Sequence, residues 1–327
     1  MLERSITIVL LLAGGWCISQ CSVDSTAPSL FTIVPNGYSG LHFANTVKQT
    51  REDNHLINVE FVSGGGVAVG DIDNDGLQDI FFAGNQVPDK LYRNIGNLQF
   101  EDITSKSGIG LDSRWSTAVT FVDIDADGDQ DIYVCRFIYL ENEHSANQLY
   151  VNNGDLTFTE EALDFGIADT GFSTSAAFCD FDKDGLIDLY VVNQPPSIPG
   201  RRGKISRAAL PGIQFSDRMY KNVGRNRFTD VTEHSGVRNF GFGLSALVGD
   251  FNQDSWQDIY VSNDFDVADH LYINQQNGTF VDMVKFATNH ITNFSMGSDA
   301  ADFDNDGYLD FMVVDMVHED KSLRKSH

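Results

Sequence analysis

Three features of this 327-residue sequence predict an all-β fold of tandem four-stranded sheets. An acidic nonapeptide recurs five times, β-branched and aromatic runs flank each copy, and a second motif of two short strands follows four of the copies. One sheet cannot bury both of its faces alone. Units of about 50 residues in tandem therefore stack face to face around an axis, as the blades of a β-propeller do.

Taken in order, the chain opens on a leader. Arg4 precedes the apolar run 6-ITIVLLLAGGW-16, a length suited to a signal-peptide core and short for a bilayer span, so residues 1–21 are expected to direct export. Ile18 and Ser19 place Cys21 in the setting of a bacterial lipoprotein box, although Gln20 departs from it, and Cys17 is the alternative acylation point. Lipid on Cys21 or Cys17 would tether the chain to a membrane at the cell surface, and otherwise the protein is secreted. Residues 22–40 then form a polar tether and a first strand. Strands are expected over 30-LFTIV-34 and 41-LHFANTV-47, on either side of a Pro35-Asn36-Gly37 turn.

The nonapeptides are 71-DIDNDGLQD-79, 123-DIDADGDQD-131, 180-DFDKDGLID-188, 250-DFNQDSWQD-258 and 302-DFDNDGYLD-310. Positions 1, 3, 5 and 9 carry hard oxygen donors: Asp71, Asp73, Asp75 and Asp79; Asp123, Asp125, Asp127 and Asp131; Asp180, Asp182, Asp184 and Asp188; Asp250, Asn252, Asp254 and Asp258; Asp302, Asp304, Asp306 and Asp310. With the backbone carbonyl of position 7 (Leu77, Asp129, Leu186, Trp256, Tyr308) and a water, each set reaches the coordination number that Ca²⁺ takes. Up to five Ca²⁺ ions are expected. The 250–258 site should be weakest, because Asn252 replaces an acid and Ser255 replaces the glycine that eases the turn. Mg²⁺ suits a loop of flexible protein oxygens less well.

An EF-hand begins the same way but needs a bidentate Glu at position 12 and flanking helices. Position 12 here is Phe82, Val134, Val191, Val261 or Val313, and the flanks carry strand chemistry, so each loop is assigned to a β-hairpin closed by its ninth residue. A surface turn needs only one or two Asp or Gly residues, and that requirement leaves the invariant acid at position 9 without a purpose.

Behind the loops come 91-LYRNIGNLQFEDIT-104, 149-LYVNNGDLTFTEEA-162, 219-MYKNVGRNRFTDVT-232 and 271-LYINQQNGTFVDMV-284, each read as two strands around an Asn/Gly-rich turn. The first acids are spaced by 52, 57, 70 and 52 residues. The longest interval holds 194-QPPSIPGRRGKISRAALPGIQFSDR-218, whose Arg201, Arg202, Lys204 and Arg207 either pair with local acids or offer a binding loop for an acidic partner. The fifth unit lacks an outer hairpin. Either residues 30–47 complete it and close a ring of five, or the chain is a piece of a longer array with 321–327 as a truncated tail; the charged ending favours the latter.

With 22 basic and 47 acidic residues the formal charge is −25, which argues against nucleic-acid binding and against binding anionic membranes through a basic surface. Carboxylates crowded around an empty loop repel by about 4 kcal/mol per close pair at 4 Å, so cation uptake should rigidify the hairpins. Affinity is expected in the ~10⁻⁴ to 10⁻³ M range of extracellular modules. Cys135 and Cys179 sit in register with small residues of the other units and read as small buried side chains more readily than as a disulfide. Sequons at Asn277 and Asn293 would matter in a eukaryotic source. HExxH, GxSxG and GxxxxGK[ST] are absent, and His144, His234 and His270 are isolated.

The combination of DxDxDGxxD, LYxNxGxxxFxD and 263-NDFDVADHLYIN-274 resembles FG-GAP/VCBS repeats, and in particular the N-terminal propeller of the cartilage acidic protein (ASPIC/UnbV) family, over residues 41–320. The resemblance implies an integrin-α-like propeller with calcium in its hairpin loops, the five units being part of a seven-bladed array. Function is expected to be binding or adhesion toward a protein or polysaccharide, without catalysis. The alternative is a glycan-active hydrolase or lyase working on a propeller face.

Overall fold

The computed structural model describes residues 31–316 except 52–53, 56–60, 62–63, 111–114, 138–145, 196–214, 266 and 293. The leader, Cys17, Cys21, the basic cluster at 201–207, His144, Asn293 and the tail fall outside the described residues.

Each acidic nonapeptide is the turn of a hairpin. In the first unit β1 (Val67–Gly70) and β2 (Asp79–Phe82) flank it, and β3 (Lys90–Asn94) and β4 (Phe100–Asp102) complete an antiparallel sheet in sequence order. The second sheet is β5 (Ser116–Val122), β6 (Asp131–Arg136), β7 (Gln148–Asn152) and β8 (Phe158–Glu160). The third is β9 (Ser173–Cys179), β10 (Asp188–Asn193), β11 (Arg218–Asn222) and β12 (Phe228–Asp230); the fourth is β13 (Phe242–Gly249), β14 (Asp258–Asp264), β15 (His270–Asn274) and β16 (Phe280–Asp282). A last hairpin pairs β17 (Ser295–Ala301) with β18 (Asp310–Asp315). The molecule is an all-β array of propeller blades, as expected.

Strand alternation builds the seams between sheets. On β6, Ile132 and Val134 join the cluster with Phe81 and Leu91 of the first sheet, while Tyr133 and Cys135 join Leu189 and Val191 of the third. On β10, Tyr190 and Val192 turn the other way, toward Ile259 and Val261. Middle strands are thus apolar on both faces and buried along their length. The first strands need small residues because they approach one another closely: a Cβ on Gly66 would lie 2.7 Å from Ala118 Cα. Thr117 Oγ1 donates to the Ser173 carbonyl (2.6 Å) and Thr174 Oγ1 to the Gly243 carbonyl (2.7 Å), which ties successive first strands together. Cys135 and Cys179 are both free thiols, packed as small apolar side chains.

The expected strands at 30–34 and 41–47 are corrected. Residue 30 is outside the described residues; 31–35 form no regular structure, and 36–47 contain only the one-turn helix α1 (Asn36–Ser39). Residues 22–40 therefore show no first strand among those described. Gly40 ends α1 at φ +76, where its N–H reaches the Asn36 carbonyl and an added Cβ would meet the Phe100 carbonyl at 2.5 Å. Gly108, Gly166 and Gly236 hold the same left-handed conformation against the carbonyls of Phe158, Phe228 and Phe280. Two of these follow the helical turns α2 (Ala162–Phe165) and α3 (Thr232–Ser235), and a further turn, α4 (Val284–Ala287), follows β16. Ser39-Gly40-Leu41 is thus a copy of 107-SGI-109 and 235-SGV-237, the close of a unit. The chain beyond it crosses the first sheet by side chains, with Asn45 Nδ2 donating to Asn85 Oδ1 (2.7 Å) and Phe43 stacked on Phe82.

Both ends of the described stack expose apolar surface. Val67 and Val69 on β1 are 58% and 56% exposed, and Met312 and Val314 on β18 are 60% and 55% exposed.

Candidate metal centres

The hairpin register pairs the residue before each loop with its ninth position: Gly70 with Asp79, Val122 with Asp131, Cys179 with Asp188, Gly249 with Asp258 and Ala301 with Asp310. Position 4 is left-handed in all five loops (Asn74, Ala126, Lys183, Gln253, Asn305), as is the position-6 residue, Ser255 included at φ 70. These two reversals fold the loop back so that its carboxylates converge.

The acids divide the remaining work. The first acid holds the turn: Asp71 Oδ1 accepts from the Asp75 amide (3.1 Å) and Oδ2 from the Gly76 amide (2.8 Å). The fifth accepts from the position-7 amide, as Asp75 does from Leu77 (2.8 Å). The ninth bonds the hairpin on both sides. Asp131 Oδ2 accepts from the Ile124 amide (2.9 Å) and Oδ1 from the Asn152 amide (2.8 Å). The third acid is left over: Asp73 Oδ1, Asp125 Oδ1 and Asp182 Oδ1 are buried oxygens with no hydrogen-bond donor. An orphaned carboxylate oxygen costs free energy that a cation recovers.

Three carboxylates bring ligand atoms within 4.8 Å of one another in four loops: Asp71, Asp73 and Asp79; Asp123, Asp125 and Asp127; Asp180, Asp182 and Asp188; and Asp302, Asp304 and Asp306. The donor set is hard oxygen, which fits Ca²⁺. No such trio forms among Asp250, Asp254 and Asp258. There Asn252 Nδ2 and Gln276 Nε2 each donate to Asp254 Oδ2 at 3.1 Å, so amides satisfy the carboxylate. Burial pushes Asp131 up to about 7 and Asp188 up to about 6, with neighbouring loop acids adding to the rise.

Charge around the loops is uneven in a way the motif does not encode. Arg93 Nε reaches Asp73 Oδ2 at 2.5 Å and its Nη2 reaches Asp75 at 3.3 Å; Lys221 pairs with Asp182 and, at 3.2 Å, with Asp184. Val151 and Ile273 hold the same strand position in the second and fourth sheets. The signal was the third letter of each LYxN, which hydrophobic patterning treats as interchangeable.

Neighbouring loops also touch. Asn74 Nδ2 donates to Asp129 Oδ1 (2.6 Å) and to the Gly128 carbonyl (3.3 Å), Gln253 Nε2 donates to the Gly307 carbonyl (3.1 Å), and Lys183 lies over the Trp256 ring (4.7 Å). Position 4 of one loop reaches positions 6 and 7 of the next. Ala126 has no side chain long enough to do so.

Supporting residues outside the loops escaped sequence reasoning. Asn152 Nδ2 donates to the Ile72 carbonyl and Asn274 Nδ2 to the Phe181 carbonyl, both at 2.8 Å, bridging to the previous loop. A buried acid or amide opens each third strand: Asp217 accepts from the Asn193 amide (2.9 Å) and the Tyr190 hydroxyl (2.6 Å), and Asn147 accepts from the Arg136 amide (2.8 Å). The recurrence [DN]-x-[LM]-Y-x-N was the available signal.

A family model described as FG-GAP-like repeat matches residues 64–134, 137–191 and 250–313, more than half of the chain. The chain belongs to the FG-GAP-like repeat family. The matched spans of this FG-GAP-like chain contain all five acidic loops. It is also similar to cartilage acidic protein 1 of Mus musculus, with 26% identity over 324 residues, 93% of this chain and 46% of that protein. The Homo sapiens protein gives 26% identity over 331 residues, 95% of this chain and 46% of that protein. This chain thus spans about half the length of these relatives. A solved structure described as an Agrocybe aegerita lectin recognising non-reducing terminal N-acetylglucosamine overlaps 67% of this chain and 51% of its own at 17% identity, with a TM-score of 0.38.

Proposed function

We propose that this FG-GAP-like chain is a calcium-stabilised extracellular binding module that adheres to a protein or polysaccharide and performs no catalysis. The observation that carries the reading is the third acid of the first three loops, Asp73, Asp125 and Asp182, each with a buried, undonated oxygen and each in a group of carboxylates with ligand atoms within 4.8 Å of one another. Asp71, Asp73 and Asp79; Asp123, Asp125 and Asp127; Asp180, Asp182 and Asp188; and Asp302, Asp304 and Asp306 would hold the cations, with the position-7 carbonyls of Leu77, Asp129, Leu186, Trp256 and Tyr308 as further donors. The ion supplies charge compensation, which fixes the hairpin. The 250–258 loop is the weakest site in this reading, because amides already satisfy Asp254.

Export through residues 1–21 and acylation of Cys21 or Cys17 belong to the same proposal, as does membership in a longer, seven-bladed array. Titration calorimetry with Ca²⁺ tests the core of it. Uptake of about four ions with a rise in Tm is expected, and no heat of binding with an unchanged Tm refutes it. Binding to glycan and protein arrays, with Ca²⁺ and with EGTA, then separates adhesion from a purely structural role.

A further inference from the structure

The outer hairpins have matching register, since each runs from the Asn of LYxN to a Phe, which is buried in the second, third and fourth sheets. Leu156 stands two residues before Phe158, and Gly278 two residues before Phe280; both are left-handed, at φ 68 and φ 80. Leu156 packs into the seam between the first and second sheets, against the cluster of Ile72, Leu91, Ile103 and Phe158. Phe181, Met219, Val231 and Phe280 stand at the same positions in the seam between the third and fourth sheets, and there the hairpin brings only glycine. A Cβ on Gly278 would meet nothing within 4 Å. What remains is a cavity of about 340 Å³ lined by those four apolar side chains, with Asp182 and Asp188 of the third loop on one wall and Lys221, His234, Gln276 and Asn277 at the rim. Its size is at the lower end for ligand sites.

We propose that this notch is a socket for a branched aliphatic side chain, leucine or isoleucine, presented by a protein partner. The molecule itself shows the fit, because Leu156 fills the equivalent space two seams away. Gln276 Nε2 is engaged with Asp254 and Asn277 Oδ1 with Thr279, so Gln276 Oε1, Asn277 Nδ2 and the His234 imidazole are the groups that would meet the partner's main chain at the mouth. Apolar pockets with a few polar groups on the rim act as anchors for interface hot spots. The inference rests on the reading of the chain as a binding module; because Asp182 and Asp188 of the third cation group line the same cavity, the test is run with and without the cation.

The test follows backbone amide shifts at Lys221, Gly278 and Thr279 on titration with N-acetyl-leucine-N-methylamide, in Ca²⁺ and in EGTA. Saturable millimolar binding is expected, about tenfold tighter than for the alanine analogue, which lacks the buried methyl groups. Gly278→Leu should abolish it and raise Tm, whereas Gly278→Ala, which leaves the notch open, should retain it. Binding in both buffers leaves the socket standing even where calcium uptake fails. Shifts that are absent, equal for the alanine analogue or a methyl hexoside, or unaffected by Gly278→Leu would overturn the proposal. So would a Gly278→Leu chain that does not fold, since the argument requires leucine to fit there.

Discussion

Single side chains set the balance in the loops. Asp73→Ala or Asp304→Ala should lower both the number of ions bound and Tm, and Asn252→Ala should change both less, as calorimetry and thermal unfolding can check. Arg93 and Lys221 are internal counter-cations for the first and third loops and are 32% and 38% exposed. Replacing either by methionine should tighten calcium binding about two- to fivefold, the scale of a partly exposed ion pair. Asp217 offers a pH test remote from the loops. Burial raises its folded pKa to about 7 from 3.8, so between about pH 4 and 7 the unfolded chain releases a proton that the folded one keeps. Stability therefore falls as pH rises through that window, by on the order of 4 kcal/mol when complete. Asp217→Asn copies Asn147 of the second sheet and should remove this slope. The gain of the variant over the parent, read from denaturant unfolding, is expected to grow from pH 5 to pH 8.

Elements show how far the sequence could be read. Hairpin position, strand order and the two-faced middle strands were legible because acid spacing and period-2 alternation are local. The leading segment was not. 30-LFTIV-34 and 41-LHFANTV-47 have strand composition, but Gly40 closes a helical turn against the Phe100 carbonyl, and Phe43 and Asn45 hold the chain by side chains instead of ladder bonds. The repeated Ser-Gly-aliphatic triplet outranked propensity. Likewise, nothing in DxDxDGxxD says that position 4 touches the next loop. Asn74→Ala should therefore weaken calcium uptake in the 123–131 loop as well as its own, whereas Ala126→Ser should leave the 180–188 loop unaffected. Loop-selective lanthanide displacement followed by NMR would distinguish the two.

At the scale of the whole molecule, the apolar surface on β1 and β18 leaves the described stack with two unsatisfied faces. The 327-residue chain is expected to self-associate with rising concentration in light scattering. Met312→Lys with Val314→Lys should lower the apparent mass toward that of one chain. The alternation on β6 and β10 has a wider consequence. Each middle strand gives half of its apolar side chains to the unit before and half to the unit after, so the hydrophobic interior belongs to junctions and not to units. Inserting or deleting one whole repeat would then add or remove a single junction and leave the others chemically unchanged. A chain of this kind can vary in length by duplication without having to reinvent a core.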